Sequence, residues 1–253
     1  MPIDLDLLMR GYANGIFPMA DARDDPDTFW IEPERRAILP LDNLRVSKSL
    51  AKAIRQGPFR VTTDHAFAEV IATCAAESGD RQETWINPEI ENAFCNLHKQ
   101  GHAHSVECWL GDQLVGGLYG LAMGRAFFGE SMFSRATNAS KVALVWLVAR
   151  MQIGGYDLLD CQFMTDHLAS LGAIEISQEE YLLLLEAALG RDLQVSVSTS
   201  AGSSVVVGAA GAGDWGALEA FLAAGAALPS ADFSSAASSS PGKLILQALT
   251  QTS

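Results

Sequence analysis

Two extended runs of residues, 103–110 and 113–121, are separated only by Gly111-Asp112, a dipeptide typical of a tight hairpin turn. A third extended run follows at 126–129. Helical and extended patterns alternate over the whole stretch 61–190, which predicts an α+β (mixed α/β) fold for this part of the chain.

Capping and stop signals mark the helices of this stretch. The segment 138–153 is strongly apolar and ends at Gly154-Gly155, so we expect a buried helix there, followed by a short buried strand at 158–162. Ser177 and Glu180 form a capping box for a helix that ends at Leu189. Two earlier helices are expected, one at 66–76 with Asp64 as N-cap and one at 90–99 with Pro88 in its first turn.

Three regions are expected along the chain. Residues 1–60 form a small N-terminal domain with a short helix at 5–14, and residues 61–192 form the main domain. Residues 193–253 form an extension rich in Ser, Ala and Gly. Its expected elements are a helix at 215–224 capped by Asp214, a linker at 229–242 and a terminal helix at 243–250.

Composition excludes several classes of protein. Of the 253 residues, 49% are hydrophobic and 19% are charged, which permits a packed core and excludes wholesale disorder. No apolar run reaches the roughly 18 residues that a membrane-spanning helix needs. The four cysteines form no CxxC pair, so we expect a cytoplasmic protein with reduced thiols and no membrane association. The net charge of −13 argues against a general nucleic-acid coat protein.

The charge is unevenly distributed along the chain. Residues 35–60 contain seven basic residues against one acid, whereas the residues from Met151 onward contain two basic residues against eleven acids. Lys48, Lys52 and Arg55 are spaced to share one face of a helix. This face is either simply solvated or binds an anionic ligand such as RNA phosphate, which would give affinity rather than base selectivity.

Two polar clusters are candidates for chemistry. Glu130 stands at the end of an apolar strand, where a buried carboxylate is costly unless it is paired. Its partner is either a ligand or a basic side chain, Arg135 or Lys141. Asp160 and Gln162 end the next strand, and side-chain alternation places both on one face. Ligands gather at strand ends in α/β folds, and structural capping is the alternative role for this pair.

The histidines and cysteines predict neither a metal site nor a thiol nucleophile. His102 and His104 alternate along a predicted strand, but no cysteine or carboxylate stands at ligand spacing from them. Strand alternation turns Cys161 away from Gln162. We therefore expect Cys161 to be an ordinary buried thiol rather than a nucleophile activated by His167.

Nine short motifs lie in a fixed order between residues 5 and 190. The most specific is Gly-Glu-Ser-Met-Phe-Ser-Arg at 129–135. The others, in chain order, lie at 15–18, 33–39, 84–86, 97–107, 114–120, 138–141, 160–162 and 167–173. Together they resemble the motifs of the leucyl/phenylalanyl-tRNA–protein transferase family, and their number and order argue strongly against a chance match.

The resemblance implies a small N-terminal domain packed on a C-terminal domain of the N-acetyltransferase-like (GNAT) superfamily fold, with a mixed sheet flanked by helices. It also implies an aminoacyltransferase that takes Leu or Phe, with Met as a further candidate, from the 3′ end of an aminoacyl-tRNA. The acceptor is the N-terminal amine of a protein beginning with Arg or Lys, which is thereby marked for N-degron proteolysis. This chemistry requires no cofactor or metal, and we expect a monomer.

By motif, the resemblance assigns catalysis to Asp160, Gln162 and Glu130. The residues assigned to the aminoacyl pocket are Trp85, Met19, Met132, Leu144, Leu147, Met151 and Ser131. The residues assigned to the tRNA surface are Arg35, Arg36, Lys48, Lys52 and Arg55. Met19 stands where the family commonly has Trp, and Leu147 and Met151 stand where it commonly has Phe, so the motifs do not specify the preference between Leu and Phe.

Aminolysis of an aminoacyl ester needs positioning, a neutral attacking amine and stabilisation of the tetrahedral oxyanion. The resemblance implies that Glu130 binds the substrate α-ammonium and that Gln162 orients the attacking amine, with Asp160 as proton acceptor or electrostatic partner. One alternative is an acyl-CoA-dependent N-acetyltransferase, whose pyrophosphate-binding turn is matched only by 152–157, at a predicted helix end. The other is a non-catalytic binder of the tRNA acceptor end, against which the complete polar set argues.

Overall fold

The computed structural model of the chain describes residues 2–76, 84–190, 195–198, 204–207, 211–227 and 240–251. The helices are α1 Leu5–Tyr12, α2 Lys48–Gln56, α3 Phe67–Ala75, α4 Pro88–Lys99, α5 Ala139–Ile153, α6 Asp166–Ser170, α7 Gln178–Ala188, α8 Ala217–Ala227 and α9 Pro241–Gln251. The strands are β1 Phe17–Met19, β2 Phe29–Ile31, β3 Arg35–Ile38, β4 Arg60–Thr63, β5 Ala103–Leu110, β6 Gln113–Met123, β7 Ala126–Ser134, β8 Leu158–Gln162, β9 Ile174–Ser177, β10 Val195–Ser198 and β11 Ser204–Val207.

Seven of these strands form one mixed sheet in the order β4-β5-β6-β7-β8-β3-β9. β7 and β8 are parallel and are connected through α5, whereas the other neighbouring strands of this sheet are antiparallel. The predicted hairpin is confirmed, because β5 and β6 pair antiparallel on either side of Gly111-Asp112. The chain therefore has a mixed α+β fold with a seven-stranded sheet flanked by helices.

Side chains alternate between the two faces of the sheet and build two cores. One face packs against α5 and α2, with residues of α8 and α9 added from the extension. The other face packs against α1, α3, α4 and α7. Phe127 and Phe128, neighbours on β7, are both fully buried and belong to different cores. The sheet thus reaches the middle of the molecule, and strand ends near its centre are sheltered from water.

β3 ties the N-terminal segment to this sheet. It comes from the segment 1–60, yet it pairs with β8 on one side and β9 on the other. β1 and β2 form a separate two-stranded sheet. The large sheet therefore takes strands from both sides of residue 60, and the domain division at 60 and 192 stays a prediction. Of the predicted linker, residues 229–239 lie outside the described residues.

Several local predictions are confirmed and one is wrong. α5, β8 and the capping box of Ser177 and Glu180 form as predicted. Asp64, however, does not cap α3, whose N-cap position is held by Ala66 without a side-chain hydrogen bond. Asp64 has a φ of 58° and turns toward β5, where it accepts from the N–H of Ser105. Across the described ranges, no helix combines the length and apolar character needed to cross a membrane.

Candidate active site

Glu130 is the extra residue of a β-bulge on β7. Its neighbours Gly129 and Ser131 pair with the consecutive residues Gly120 and Tyr119 of β6, which leaves Glu130 without a partner in the ladder. Position 120 requires glycine, because a Cβ there would stand 2.2 Å from a main-chain carbonyl oxygen of β7. A bulge re-aims a side chain, and here the side chain is a carboxylate in the interior of the molecule.

A second bulge lies on β8. Asp160 and Gln162 pair with consecutive residues of β3, which leaves Cys161 as the extra residue. Gln162 has a φ of 61°, a left-handed conformation that costs a residue other than glycine about 1–3 kcal/mol. Its N–H donates to Oδ1 of Asp160 at 2.8 Å, and this bond stabilises the turn of the backbone. The regular alternation of side chains is therefore lost at 160–162.

A cavity of about 290 Å³ opens where β7 and β8 stop pairing. Glu130 and Gln162 both line it, and Nε2 of Gln162 donates to Oε1 of Glu130 at 3.0 Å. The remaining lining residues are mostly apolar: Trp85, Leu118, Tyr119, Gly129, Ser131, Met132, Leu144, Leu147, Leu159, Cys161, Phe163, Thr165, His167 and Leu168. An apolar wall with a few polar groups is the usual form of a small-ligand site.

Glu130 is a buried carboxylate that forms no salt bridge among the described residues. Its side chain is 7% exposed, and its Oε2 has no hydrogen-bond partner within the described part of the chain. Burial raises the pKa of Glu130 from 4.5 to about 8, whereas the Tyr12 hydroxyl and the Gln162 amide pull it downward. The expected alternative, a salt bridge to Arg135 or Lys141, does not form. Glu130 therefore contributes to the cavity wall a carboxylate that no basic side chain of the described residues neutralises.

Asp160 is fully buried and does not line the cavity. Arg36 donates from Nε to Oδ1 at 2.9 Å and from Nη2 to Oδ2 at 2.6 Å. The Tyr181 hydroxyl donates to Oδ2 at 2.9 Å, and burial followed by the charge of Asp160 raises the pKa of Tyr181, which keeps that proton in place. Together with the N–H of Gln162, each oxygen of Asp160 has at least two donors.

The assignment of Arg36 to the tRNA surface is wrong. Arg36 is 1% exposed, because it points into the core on the opposite side of β3 from Arg35. A guanidinium committed to a buried carboxylate cannot reach a phosphate in solvent. Arg35 is exposed, with its Nε 3.1 Å from Oε2 of Glu175.

The cavity gathers most of the predicted pocket, namely Trp85, Ser131, Met132, Leu144 and Leu147. Met19 and Met151 are not among its lining residues. Met19 packs against the core beside α1, and Met151, a residue of α5, is fully buried in the core.

The prediction that alternation separates Cys161 from Gln162 is wrong, because the bulge brings both to the cavity wall. Burial, with the Asp160 charge adding to it, raises the pKa of the Cys161 thiol far above its usual range. The thiol therefore stays protonated and is not prepared for nucleophilic attack.

Two residues of the cavity rim were not singled out as site residues from the sequence. Phe163 follows Gln162, is 44% exposed and meets the ring of Phe17 edge-on at 5.7 Å. Burial, followed by the charge of Lys141, lowers the pKa of His167, so its neutral form prevails at pH 7. The motif at 167–173 was the available signal for His167, and nothing in the residue pattern distinguished Phe163.

The predicted basic helix forms as α2. Lys48, Lys52 and Arg55 are all exposed, whereas Leu50 and Ile54 are buried on the opposite side. Ser47 caps the helix by accepting from the N–H of Leu50. The positive groups are therefore held at fixed spacing by a helix that is anchored in the core.

Glu130, a buried carboxylate of raised pKa, and Gln162, whose backbone is strained, lie together on the wall of a mostly apolar cavity. This combination is typical of an enzyme active site. Comparison with known families specifies the enzyme class. The family model described as leucyl/phenylalanyl-tRNA protein transferase matches residues 38–186, and the model for the N-terminal domain of that transferase matches residues 1–34. The chain therefore belongs to the leucyl/phenylalanyl-tRNA–protein transferase family, whose members are aminoacyltransferases.

Curated relatives support this membership. The transferase of Rhizorhabdus wittichii is 63% identical over 74% of this chain and 76% of its own length. That of Novosphingobium aromaticivorans is 51% identical over 98% of this chain and 96% of its own length, so the similarity extends into the extension after residue 192. Among solved structures, the structure of L-PGS from Bacillus licheniformis matches with 13% identity and a TM-score of 0.33, over 65% of this chain and 55% of that one.

Proposed function

We propose that this enzyme transfers Leu or Phe from an aminoacyl-tRNA to the N-terminal amine of proteins beginning with Arg or Lys, and that the product is marked for N-degron proteolysis. One observation carries the proposal beyond family membership: Glu130 and Gln162 form a hydrogen-bonded polar pair in the wall of a mostly apolar cavity. An aminoacyl ester has the matching form, with an apolar side chain beside an α-ammonium and a carbonyl.

In the proposed complex the aminoacyl side chain enters the apolar part of the cavity. Leu144 and Leu147 from α5 and Met132 from β7 supply its walls, with Trp85 as a further aromatic surface. The α-ammonium then lies against the Glu130 carboxylate, which lines the cavity and forms no salt bridge in the described part of the chain. A bound ammonium favours the charged carboxylate, so it offsets the burial that otherwise keeps Glu130 protonated.

Gln162 then orients the attacking amine. Its Nε2 is used by Glu130, which leaves the carbonyl Oε1 of the same amide to accept a hydrogen bond from the acceptor's N-terminal amine. The amine nitrogen attacks the ester carbonyl and the bond to the tRNA 3′ oxygen breaks. The proton lost by the amine passes to that oxygen, which leaves as the 3′-hydroxyl of the free tRNA. Asp160 acts through Gln162, because its oxygens are occupied by Arg36, Tyr181 and the Gln162 N–H.

The tRNA surface in this proposal is the exposed face of α2, with Arg35 as an additional contact. Lys48, Lys52 and Arg55 project from one side of the helix, and no salt bridge engages any of them among the described residues. Phosphate contacts of this kind supply affinity and orientation without reading bases. A local patch allows a protein with a net charge of −13 to bind RNA.

Two finer aspects complete the proposal. The mixed sheet with one parallel pair, β7 and β8, supports a GNAT-like arrangement of the catalytic domain. None of the four cysteines, all of which lie in the described part of the chain, forms a disulfide, which supports a reducing compartment, the cytoplasm. In this proposal the enzyme acts as a monomer.

The test is transfer of labelled amino acid from Leu-, Phe- and Met-tRNA to reporter peptides. Peptides beginning with Arg or Lys should be labelled, whereas the same peptides beginning with Met or carrying an acetylated N-terminus should not. Gln162→Ala serves as the enzyme control. Equal labelling of all peptides would contradict the proposed acceptor, and no labelling of any would contradict the proposed function.

A further inference from the structure

Arg36 is the largest fully buried side chain of the described residues, and its polar contacts join Asp160 to the N-terminal segment. Its fork holds both oxygens of Asp160, and its Nη1 donates to the carbonyl oxygen of Gly15 at 2.9 Å. Its guanidinium carbon also lies over two rings, 4.7 Å from the centroid of Phe17 and 4.4 Å from that of Tyr181. Only a planar group with several donors can make all these contacts at once.

The Asp160 carboxylate, which Arg36 holds in place, also contacts the backbone of Gln162. Oδ1 of Asp160 accepts from the N–H of Gln162, the residue held at a φ of 61°. A strained backbone of this kind persists only where its surroundings enforce it. Without a fixed Asp160, the backbone at Gln162 would relax, and its side-chain amide would leave the position 3.0 Å from Glu130.

Arg36 also connects this strand end to the N-terminal segment. Gly15 and Phe17 precede the large sheet in the chain, and both contact the guanidinium. Phe17 in turn meets Phe163 on the cavity rim. One side chain thus joins the N-terminal segment, the buried carboxylate and the rim of the cavity.

We propose that Arg36 is a positioning residue for catalysis: through Asp160 it sets the backbone of Gln162, and through Gly15 it places the N-terminal segment against the cavity. The inference rests on the proposed function, in which Gln162 orients the attacking amine. It replaces the tRNA-contacting role expected for Arg36 from the sequence, and it assigns the buried ion pair a task in the transfer step.

The experiment compares Arg36→Lys with Arg125→Lys. Arg125 forms a salt bridge with Asp157, and neither residue lines the cavity. Arg125→Lys therefore controls for the stability that is lost when a largely buried guanidinium is replaced by an ammonium group. Each variant is assayed with full aminoacyl-tRNA and with a minimal aminoacyl-adenosine, alongside thermal melting. Arg36→Lys should lower kcat about 10–100-fold on both substrates, because small misplacements of a positioned group cost this much. Its KM and its tRNA Kd should change less than about three-fold.

Chemical rescue separates positioning from folding. Arg36→Ala should regain kcat as methylguanidinium is added, with saturation, and should not respond to the same concentration of methylammonium. If Arg36→Ala does not fold, Tyr181→Phe replaces it and should show a smaller loss of kcat at unchanged tRNA Kd. A readout without turnover is the NMR signal of the Gln162 side-chain amide, which should shift in Arg36→Lys and stay in place in Arg125→Lys.

The outcomes are distinct. Full kcat in folded Arg36→Lys, or a kcat that stays low at every methylguanidinium concentration in folded Arg36→Ala, overturns the inference. Intact turnover of aminoacyl-adenosine together with weaker, less salt-dependent tRNA binding would return Arg36 to a phosphate-binding role. Inactivity of the unmodified enzyme on all substrates would instead refute the proposed function, and the amide signal would still test the positioning role.

Discussion

Glu130 and Gln162 meet side chain to side chain, Nε2 to Oε1 at 3.0 Å, although 32 residues separate them in the chain. Each residue lies at a bulge, one on β7 and one on β8, at the place where these parallel strands stop pairing. The pair therefore depends on irregularities of the sheet. A regular ladder would pair Glu130 with a residue of β6 and would turn Gln162 and Cys161 to opposite sides.

Replacement of Gln162 should separate its chemical role from its backbone strain. Gln162→Ala and Gln162→Gly both remove the amide, so both should lower kcat by orders of magnitude while tRNA Kd stays within a few-fold. Gln162→Gly should be more stable than Gln162→Ala by about 1 kcal/mol, because glycine adopts a φ of 61° without strain. Single-turnover kinetics and thermal melting measure the two effects. Equal losses of tRNA affinity and of rate would argue against a chemical role.

Glu130→Gln should change the pH dependence of both activity and stability. The pKa of Glu130 is raised by burial to about 8, so the folded state binds the extra proton between pH 4.5 and 8, and stability falls as pH rises through that window. In thermal melting, Glu130→Gln should therefore have a free energy of unfolding roughly 2–5 kcal/mol above that of the parent protein at pH 8.5. At pH 4.5 the two proteins should be about equally stable.

The kcat/KM profile of the same variant gives a second measurement. In the parent protein, kcat/KM should rise between pH 6 and 9 because both Glu130 and the acceptor amine lose a proton in this range. In Glu130→Gln only the deprotonation of the amine contributes to the rise. The variant should also discriminate less against N-acetylated aminoacyl-tRNA. Identical pH profiles for the two proteins, with unchanged discrimination, would remove Glu130 from substrate binding.

Leu147→Phe should narrow the cavity and favour the smaller side chain. Leu147 is 1% exposed and lines the wall, so a larger ring there enters the volume meant for the substrate. We expect the ratio of Leu to Phe transfer to rise about 10-fold or more, since a small difference in substrate side-chain size is worth about 1–3 kcal/mol in an apolar pocket. Met151→Leu, on the same helix but away from the cavity, should leave the ratio within two-fold. A ratio that responds to Met151 and not to Leu147 would place the pocket elsewhere.

Charge reversal on α2 should weaken tRNA binding without impairing the chemical step. Lys48→Glu/Lys52→Glu should lower tRNA affinity and reduce its salt dependence by about two phosphate contacts, equally for Leu- and Phe-tRNA. Turnover of aminoacyl-adenosine should remain within two-fold. Arg10→Glu/Lys99→Glu carries the same change of charge at exposed positions elsewhere and should leave affinity unchanged. Equal losses on both substrates would indicate misfolding, and no loss on either would make α2 a merely solvated face.

The sequence was informative at most places where local signals decide structure, the N-cap predicted at Asp64 being an exception. Gly111-Asp112, the apolar run of α5 and the capping box at Ser177 each act within a few residues, and each was predicted correctly. Arg36 was missed because its burial depends on Asp160, 124 residues away. The bulges were missed for the same reason, since they exist only through the register of β6 and β3.

The structure places Asp160 differently from the prediction, and this changes what a variant at Asp160 can measure. Pattern and motif suggested a side chain that faces substrate, whereas the structure shows one that neutralises Arg36 in the core. Removing one member of such a pair costs about 3–5 kcal/mol. Low activity in Asp160→Ala would therefore report on folding as much as on chemistry, and Gln162 is the better probe of the transfer step.

The insertion of β3 between β8 and β9 has a consequence for how the enzyme is made. Arg35 leaves the ribosome 140 residues before its partner Glu175 on β9. At roughly 5–20 residues per second, β3 waits on the order of ten seconds with neither neighbour present. During that time β3 carries two adjacent positive charges, Arg35 and Arg36, and charged residues on an unpaired strand discourage pairing with other strands. The β8-β3-β9 end of the sheet thus closes late in synthesis, after the central strands β6 and β7 have been made.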